Sequence, residues 1–157
     1  MVRQQPLTLH GAAKGAVRTQ FAALCYRMKA GKVEVLLITS RRRKRWIVPK
    51  GWPMEGKTPA ACAAREAWEE AGVRGQASDT SVGVYSYIKI GRKNRPDVPV
   101  LAVLYPIRVT ALKKRYPEAR ERRRMWVSRK KAAKLLDSKA LGKLIVGFVP
   151  PEGRGPA

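Results

Sequence analysis

Residues 51–73 read GWPMEGKTPAACAAREAWEEAGV, and this stretch concentrates carboxylates in a chain that is otherwise strongly basic. The 157-residue chain has 34 Lys and Arg against 11 Asp and Glu. Four of those acids nevertheless lie close together here, at Glu55, Glu66, Glu69 and Glu70. Because like charges repel, such a cluster indicates a positive counter-charge. The best candidate is a group of divalent cations that act on a phosphorylated substrate.

The same stretch carries the signals of a helix. Thr58 is a good N-cap, and Pro59 follows at the first helical position, where its missing N–H costs nothing. Alanines dominate the next turns, and Gly72 supplies a C-terminal stop. The pattern predicts a helix over residues 58–71.

Three glutamates of this helix, Glu66, Glu69 and Glu70, stand at positions i, i+3 and i+4, which places them on one face. Arg65 is spaced to pair with Glu69. An acidic face exposed to solvent is the alternative interpretation. The preceding residues favour a metal site, because residues 46–48 predict a short buried strand and a glycine-bearing loop follows it. Strand, loop and helix would together supply the oxygen ligands that Mg²⁺ prefers.

This segment resembles the Nudix box, whose pattern is Gly, five residues, Glu, seven residues, Arg-Glu, an apolar residue, any residue, Glu-Glu, any residue, Gly and an apolar residue. The matching positions are Gly51, Arg65, Glu66, Ala67, Glu69, Glu70, Gly72 and Val73. One position departs from the pattern, since Lys57 replaces its first Glu. Lys57 is interpreted either as a contact to a substrate phosphate or as a surface lysine.

The resemblance extends outside the box. Residues 21–27 (FAALCYR), 35–39 (VLLIT) and 45–49 (RWIVP) are similar to diphosphoinositol polyphosphate phosphohydrolases, a Nudix branch that also hydrolyses diadenosine polyphosphates. Lys50 and Trp52 stand where that branch usually has glycines. The substrate of this chain is therefore left open.

The resemblance implies an α/β fold, an α/β/α sandwich with a mixed β-sheet between helices. It implies hydrolysis of a phosphoanhydride bond in a nucleoside or inositol polyphosphate, with Mg²⁺ as cofactor and Mn²⁺ as the alternative ion. We expect Glu66 and Glu70 as metal ligands, and Glu69 as a third ligand or as the proton acceptor for water. The backbone carbonyl of Lys50 or Gly51 would complete the coordination. The catalytic group is then Glu69, Glu70 and Arg65, with Arg65 holding Glu69 in place.

Basic residues near the carboxylates are candidate phosphate ligands, because Arg binds phosphate through two hydrogen bonds. The expected substrate-binding residues are Arg18, Arg41, Arg42, Arg43, Arg45, Lys50 and Trp52, the last as a ring that could stack on a base. A solvated loop is the alternative interpretation of residues 41–45. The basic run 120–131 is interpreted as a solvated surface. His10, the only histidine, lies near the N-terminus, which excludes histidine-based catalysis.

The length predicts a single domain over residues 16–149, with a flexible lead-in at 1–15 and a disordered tail at 150–157. Net charge is +23, which favours polyanions as partners and predicts non-specific nucleic-acid binding. No membrane span or secretion signal is predicted, so a cytoplasmic location is expected, and the two cysteines are expected to be buried thiols. Oligomeric state is not predicted.

Three alternative functions remain at this point. They are an ADP-ribose, nucleotide-sugar or nucleoside triphosphate pyrophosphatase, a non-catalytic basic Nudix protein that binds RNA, and a membrane-surface or ribosome-associated protein whose binding depends on charge alone. Besides the helix described above, the periodicity predicts strands and helices at the following positions. The strands are at 18–28, 33–39, 46–48, 82–90, 98–109 and 125–127, and the helices at 129–136 and 138–148.

Overall fold

A computed structural model describes residues 4–7 and 18–151 of the chain. Within these residues there are eight strands and three helices. The strands are β1 (Thr19–Lys29), β2 (Lys32–Thr39), β3 (Trp46–Ile47), β4 (Lys50–Gly51), β5 (Val73–Ala77), β6 (Gly83–Lys89), β7 (Val98–Leu112) and β8 (Arg124–Ser128), and the helices are α1 (Pro59–Ala71), α2 (Arg129–Leu135) and α3 (Lys139–Val146).

All eight strands belong to one sheet, whose main path runs β3-β2-β1-β7-β5. Strand β4 pairs with β1, β6 with β7 and β8 with β2. The β1–β7 pairing is parallel and the other pairings are antiparallel. The predicted mixed sheet is therefore confirmed.

Apolar side chains cover both faces of this sheet. On β1, Ala22, Leu24 and Tyr26 enter one buried cluster with α2 and α3, while Ala23 and Cys25 enter a second cluster with α1. Successive side chains of a strand point to opposite faces of the sheet. Because the side chains of β1 are apolar on both faces, both faces must be covered, and here helices cover them. The result is the α/β/α arrangement that the sequence predicted.

Helix α1 begins and ends where its caps predict. The N–H of Ala61 donates to Thr58 Oγ1 at 3.1 Å, and Pro59 occupies the first turn. At the other end Gly72 has φ +69° and its N–H donates to the carbonyl of Trp68 at 3.0 Å. A left-handed residue at this position favours glycine, which fixes the length of the helix.

Strands β4 and β5 were not predicted. Strand β4 has only two residues, and it forms because Lys50 and Gly51 pair with Ala22 and Phe21 on distant β1. Strand β5 has the sequence VRGQA, which has no apolar period, and it depends on its pairing with β7. Both strands are held by partners far away in sequence, which local periodicity does not reveal.

Part of the predicted lead-in is held against the domain. Gln4 accepts from the N–H of Ala60 at 2.9 Å and donates to the hydroxyl of Tyr105 at 3.1 Å. Leu7 exchanges backbone hydrogen bonds with Lys57 and Gly56. For residues 4–7 the expectation of a free lead-in is thus corrected. Residues 1–3, 8–17 and 152–157, which include the rest of the lead-in and most of the predicted tail, lie outside the described residues.

Neither cysteine of the chain is in a disulfide, since Cys25 and Cys62 are both free and buried. Their packing between β1 and α1 confirms the expectation of buried thiols. Among the described residues, no helix has both the length and the apolarity that crossing a membrane requires.

Candidate active site

A cleft of about 470 Å³ opens where α1, β4 and β6 meet. Its charged lining consists of Arg41, Lys50, Glu66, Glu70, Lys89, Glu118 and Arg122. Glu66 and Glu70, one helical turn apart on α1, are the predicted carboxylates that reach it. The cleft thus combines carboxylates with fixed cations, which is the combination that phosphate chemistry requires.

The two α1 carboxyl groups hydrogen-bond to each other. Burial is the main cause that raises the pKa of Glu66, to about 8, and the nearby charge of Glu70 adds to it. Burial also raises the pKa of Glu70, although Arg122 and Lys50 oppose this. In the absence of a cation, two such groups share a proton rather than ionise together.

Strand β4 passes close against these carboxyl groups. The backbone N–H of Lys50 lies 3.4 Å from Glu70 Oε1. A Cβ placed on Gly51 would lie 2.5 and 2.6 Å from the carboxylate oxygens of Glu66. Only a glycine leaves room for this carboxyl group. The close approach explains why the box begins with glycine, and it brings the backbone of β4 beside the two acids.

Arg122 forms a buried ion-pair network that the sequence did not reveal. Its Nε lies 2.8 Å from Glu118 Oε1, and its Nη2 lies 3.8 Å from Glu70 Oε1. The side chain of Arg122 is only 8% exposed, and its Nη1 donates to the carbonyl of Thr39 at 3.1 Å. The interpretation of residues 120–131 as solvated surface is therefore wrong for Arg122.

Glu118 adds a third carboxylate to the cleft. It comes from the connection between β7 and β8, and its N–H donates to the carbonyl of Glu69 at 3.0 Å. The i, i+4 spacing of Glu118 and Arg122 was a signal of their pairing. This spacing did not single out Arg122, because residues 120–124 read RERRR and the neighbouring arginines could pair with nearby glutamates in a similar way.

Glu69 has a different environment from its two neighbours on α1. Its Oε2 pairs with Nε of Arg65 at 2.5 Å, as the spacing predicted. Its side chain is not part of the cleft lining, and Arg65 is half exposed. Within residues 4–7 and 18–151, no three His, Cys, Asp or Glu side chains converge as a metal-ligand cluster. The structure thus brings Glu66 and Glu70 together but leaves Glu69 beside Arg65.

Lys50 occupies the floor of the cleft. Its ammonium group lies 5.4 Å from the centre of the Tyr87 ring, and the Tyr87 hydroxyl donates to Gln20 Oε1. Burial lowers the pKa of Lys50, an effect that the nearby Glu70 opposes. The Lys50 ammonium group therefore lies beside both the Tyr87 ring and the Glu70 carboxyl group, where an anion that enters the cleft can pair with it.

The predicted basic loop only partly faces this cleft. Arg41 lines it while it pairs with Glu121 at 3.2 Å. Arg45 instead pairs with Asp137 at 2.8 Å. Arg42 and Arg43 are exposed and are not among the lining residues. Four loop arginines were expected from the sequence to bind substrate, and Arg41 is the one of these four that lines the cleft.

A second cavity of about 770 Å³ adjoins the cleft and shares Trp52 and Lys89 with it. Five cationic side chains line it: Arg18, Lys89, Arg92, Lys93 and Arg95. No carboxylate is found among the lining residues that the structure describes. The predicted residues Arg18 and Trp52 therefore belong to this adjoining cavity, and Trp52 also borders the cleft.

The arrangement of carboxylate helix, glycine strand and mixed sheet matches a known family. A model of the NUDIX domain matches residues 18–146. The chain belongs to the Nudix family. It is 33% identical over 144 residues to diphosphoinositol polyphosphate phosphohydrolase 3-beta of Homo sapiens, which covers 87% of this chain and 83% of that protein. The resemblance to this Nudix branch is confirmed.

Two further proteins are similar to this chain, one in sequence and one in structure. Nudix hydrolase 21, chloroplastic, of Arabidopsis thaliana is 32% identical over 129 residues, which cover 79% of this chain and 62% of that protein. The chain thus spans less than two thirds of that relative. The structure of Ap4A hydrolase from C. elegans superposes with a TM-score of 0.57 at 22% identity, over 83% of this chain and 95% of that one. That likeness shows a shared Nudix fold.

Nudix proteins generally use divalent metal ions, and the donor groups of this cleft fit one. Glu66 and Glu70 offer hard oxygen ligands, and Gly51 leaves space beside Glu66. Burial raises the pKa of both carboxyl groups, and a bound cation would favour their ionised forms. Glu118 lines the same cleft.

The shared proton of the carboxyl pair predicts that metal stabilisation depends on pH. The pKa of Glu66 rises from 4.5 to about 8 in the folded protein. This raised pKa stabilises the metal-free fold below about pH 4.5, and the contribution is lost as the pH rises towards 8. Because a metal ion needs ionised carboxylates, added Mg²⁺ should raise Tm by several degrees more at about pH 8 than at about pH 5. Thermal melts of wild type and Glu70→Gln test this, and an equal Mg²⁺ effect at both pH values would contradict it.

Proposed function

We propose that this Nudix protein is a Mg²⁺-dependent pyrophosphohydrolase that cleaves a phosphoanhydride bond in a nucleoside or inositol polyphosphate. The observation that carries the proposal is the hydrogen-bonded pair of half-buried Glu66 and buried Glu70, which lies against the backbone of Gly51 in a cleft lined by cations. Two relatives support the substrate class through their names, the human diphosphoinositol polyphosphate phosphohydrolase 3-beta and the C. elegans Ap4A hydrolase.

Each acid of the cleft has a role in this proposal. Glu66 and Glu70 hold the divalent ion, together with the backbone carbonyl of Lys50 or Gly51. When bound, Mg²⁺ neutralises charge on the phosphate oxygens and lowers the pKa of a water molecule. Glu118 is the further carboxylate that faces the same space. Mn²⁺ is the alternative ion, because it accepts the same oxygen ligands.

Glu69 and Arg65 support the site from its edge. Their ion pair is half exposed, so its contribution to stability is small, about 0.5 kcal/mol. The backbone carbonyl of Glu69 nevertheless anchors the N–H of Glu118. We therefore assign the Arg65–Glu69 pair to positioning the end of α1, and assign metal binding to Glu66 and Glu70.

The cations of the cleft bind the phosphate chain. Lys50 and Arg41 line the space that the carboxylates face, and Lys89 links it to the adjoining cavity. Arg122 is engaged by Glu118 and Glu70, so it sets the charge of those acids rather than serving as a free phosphate ligand. The net charge of +23 adds non-specific affinity for nucleic acids, which should fall steeply with salt. A cytoplasmic location is part of the proposal.

A substrate panel tests the proposed activity. We expect hydrolysis that requires Mg²⁺ and stops with EDTA. Chromatography of the products should show two nucleotides from each diadenosine polyphosphate, and released phosphate from adenosine 5′-tetraphosphate and from a diphosphoinositol polyphosphate. ADP-ribose and nucleoside triphosphates complete the panel, since preference for either would favour the alternative pyrophosphatase class. Salt-sensitive RNA binding without hydrolysis of any of these compounds would overturn the proposal in favour of a non-catalytic binder.

A further inference from the structure

Trp52 stands at the junction of the two cavities. It lines the cleft that holds Glu66 and Glu70 and also the adjoining basic cavity. Trp52 is 39% exposed, so its indole presents apolar area to the solvent of both cavities. A large apolar ring left open between two polar cavities indicates a surface that a ligand covers.

The other tryptophans have partners within the fold. The guanidinium of Arg74 lies 3.8 Å from the ring centre of Trp68, and that of Arg27 lies 4.2 Å from the ring of Trp126. Trp46 packs against a buried cluster. Over the described residues, Trp52 takes part in neither a ring pair nor a cation–π pair. Its ring has no such partner from the described fold.

The backbone on either side holds this ring in place. Gly51 is fixed by its pairing with Phe21 in the sheet. Pro53 follows, and the residue before a proline is restricted to extended conformations. The backbone of such a segment loses little conformational entropy when a ligand binds. Trp52 is therefore a preorganised platform rather than a loose surface residue.

Charge around the platform selects for anions. Lys89 lies between the cavities, and Arg18, Arg92, Lys93 and Arg95 line the far side. An aromatic ring flanked by cations is the arrangement that binds a base together with phosphates, since the ring stacks and the cations pair with the phosphate oxygens. An inositol ring is saturated and offers no π face to stack.

We propose that Trp52 is a specificity-determining residue whose indole stacks on the base of a nucleoside polyphosphate while the phosphate chain enters the carboxylate cleft. The cleavage itself rests on the proposed function, whereas the stacking contact does not. The substrate class is therefore the polyphosphates that carry a nucleobase, in preference to those that do not.

The test compares ligands with and without a base. Binding of adenosine 5′-tetraphosphate and of inorganic tripolyphosphate is measured by calorimetry in EDTA, where no turnover occurs. We expect Trp52→Ala to weaken binding of the adenosine compound about tenfold or more and to change tripolyphosphate binding less than about twofold. Trp52→Phe should restore most of the affinity. Leu101→Ala, which removes an apolar side chain of similar exposure outside both cavities, should change neither.

Kinetics with Mg²⁺ separate the two proposals. Trp52→Ala should lower kcat/KM for base-bearing substrates mainly through KM and should leave a diphosphoinositol polyphosphate nearly unaffected. Equal losses on all substrates, or no loss of adenosine binding, would overturn the assignment of Trp52 while leaving the hydrolase proposal intact. If no substrate is hydrolysed but the base-dependent binding is lost in Trp52→Ala, the stacking site stands and the proposed activity fails.

Discussion

Replacement of Glu70 by Gln is expected to lower kcat for polyphosphate hydrolysis by about 10³-fold or more, because a metal site supplies several kcal/mol of charge stabilisation. Glu70 is nearly fully buried, with Lys50 N–H and Arg122 as its neighbours. Gln has the same shape and keeps one accepting oxygen, but it removes the negative charge that a cation needs. The measurement is steady-state kinetics with Mg²⁺ on the best substrate of the panel.

The fold should survive this change. Arg122 keeps its closer partner Glu118 at 2.8 Å, and the Gln side chain still fits the hydrogen bond to Glu66. We expect the Tm without metal to stay within a few degrees of wild type. The matched control is Glu69→Gln on the adjacent residue, which should cost less than about tenfold because its partner Arg65 is half exposed. Equal losses for both variants would contradict the assignment of the metal to Glu66 and Glu70.

Helical geometry explains why one member of the predicted trio separates from the others. Residues of an α-helix advance by about 100° each, so Glu69 and Glu70 point about 100° apart, whereas Glu66 and Glu70 are about 40° apart. The i, i+3, i+4 spacing therefore defines a broad face rather than a single direction. On α1 that face is divided, with Glu66 and Glu70 towards the cleft and Glu69 towards Arg65.

Local sequence signals predicted the elements whose bounds are set by residues nearby in the chain. The caps Thr58 and Gly72 gave both ends of α1. Segments that depend on distant partners were not predictable in this way. Strand β4 exists through β1, and residues 4–7 are held by α1 and its preceding loop.

The roles of the charged residues at the site also depend on tertiary structure, so local sequence did not reveal all of them. Arg122 belongs to a run of similar arginines, and what distinguishes it is burial beside Glu118 and Glu70, a property of the tertiary structure. Lys50 and Trp52 were visible as departures from the branch pattern, and both were expected to bind substrate. The structure places Lys50 in the cleft and Trp52 at its border.

Gly51→Ala is expected to lower kcat/KM about 100-fold, because misplacement of a catalytic group by about 1 Å has an effect of that size. The added Cβ would stand 2.5 and 2.6 Å from the Glu66 oxygens, so the carboxyl group must move. The same variant should lose most of the Mg²⁺-induced rise in Tm at about pH 8. Stability without metal should change little, because the atoms that the added Cβ meets are the far end of the flexible Glu66 side chain, and denaturant unfolding measures this.

Gly56→Ala is the control that separates the clash from a general glycine effect. Gly56 lies in the turn that follows β4, with φ +78°, and a Cβ there would meet nothing within 4 Å. Alanine at Gly56 therefore strains the backbone, at a cost of about 1–2 kcal/mol, without touching a carboxylate. We expect it to keep the kcat/KM and the Mg²⁺ response of the wild type at a lower Tm. Both variants add a single methyl group to the segment 51–56. Equal catalytic losses would therefore mean that catalysis requires the flexibility of this segment, and not the space beside Glu66.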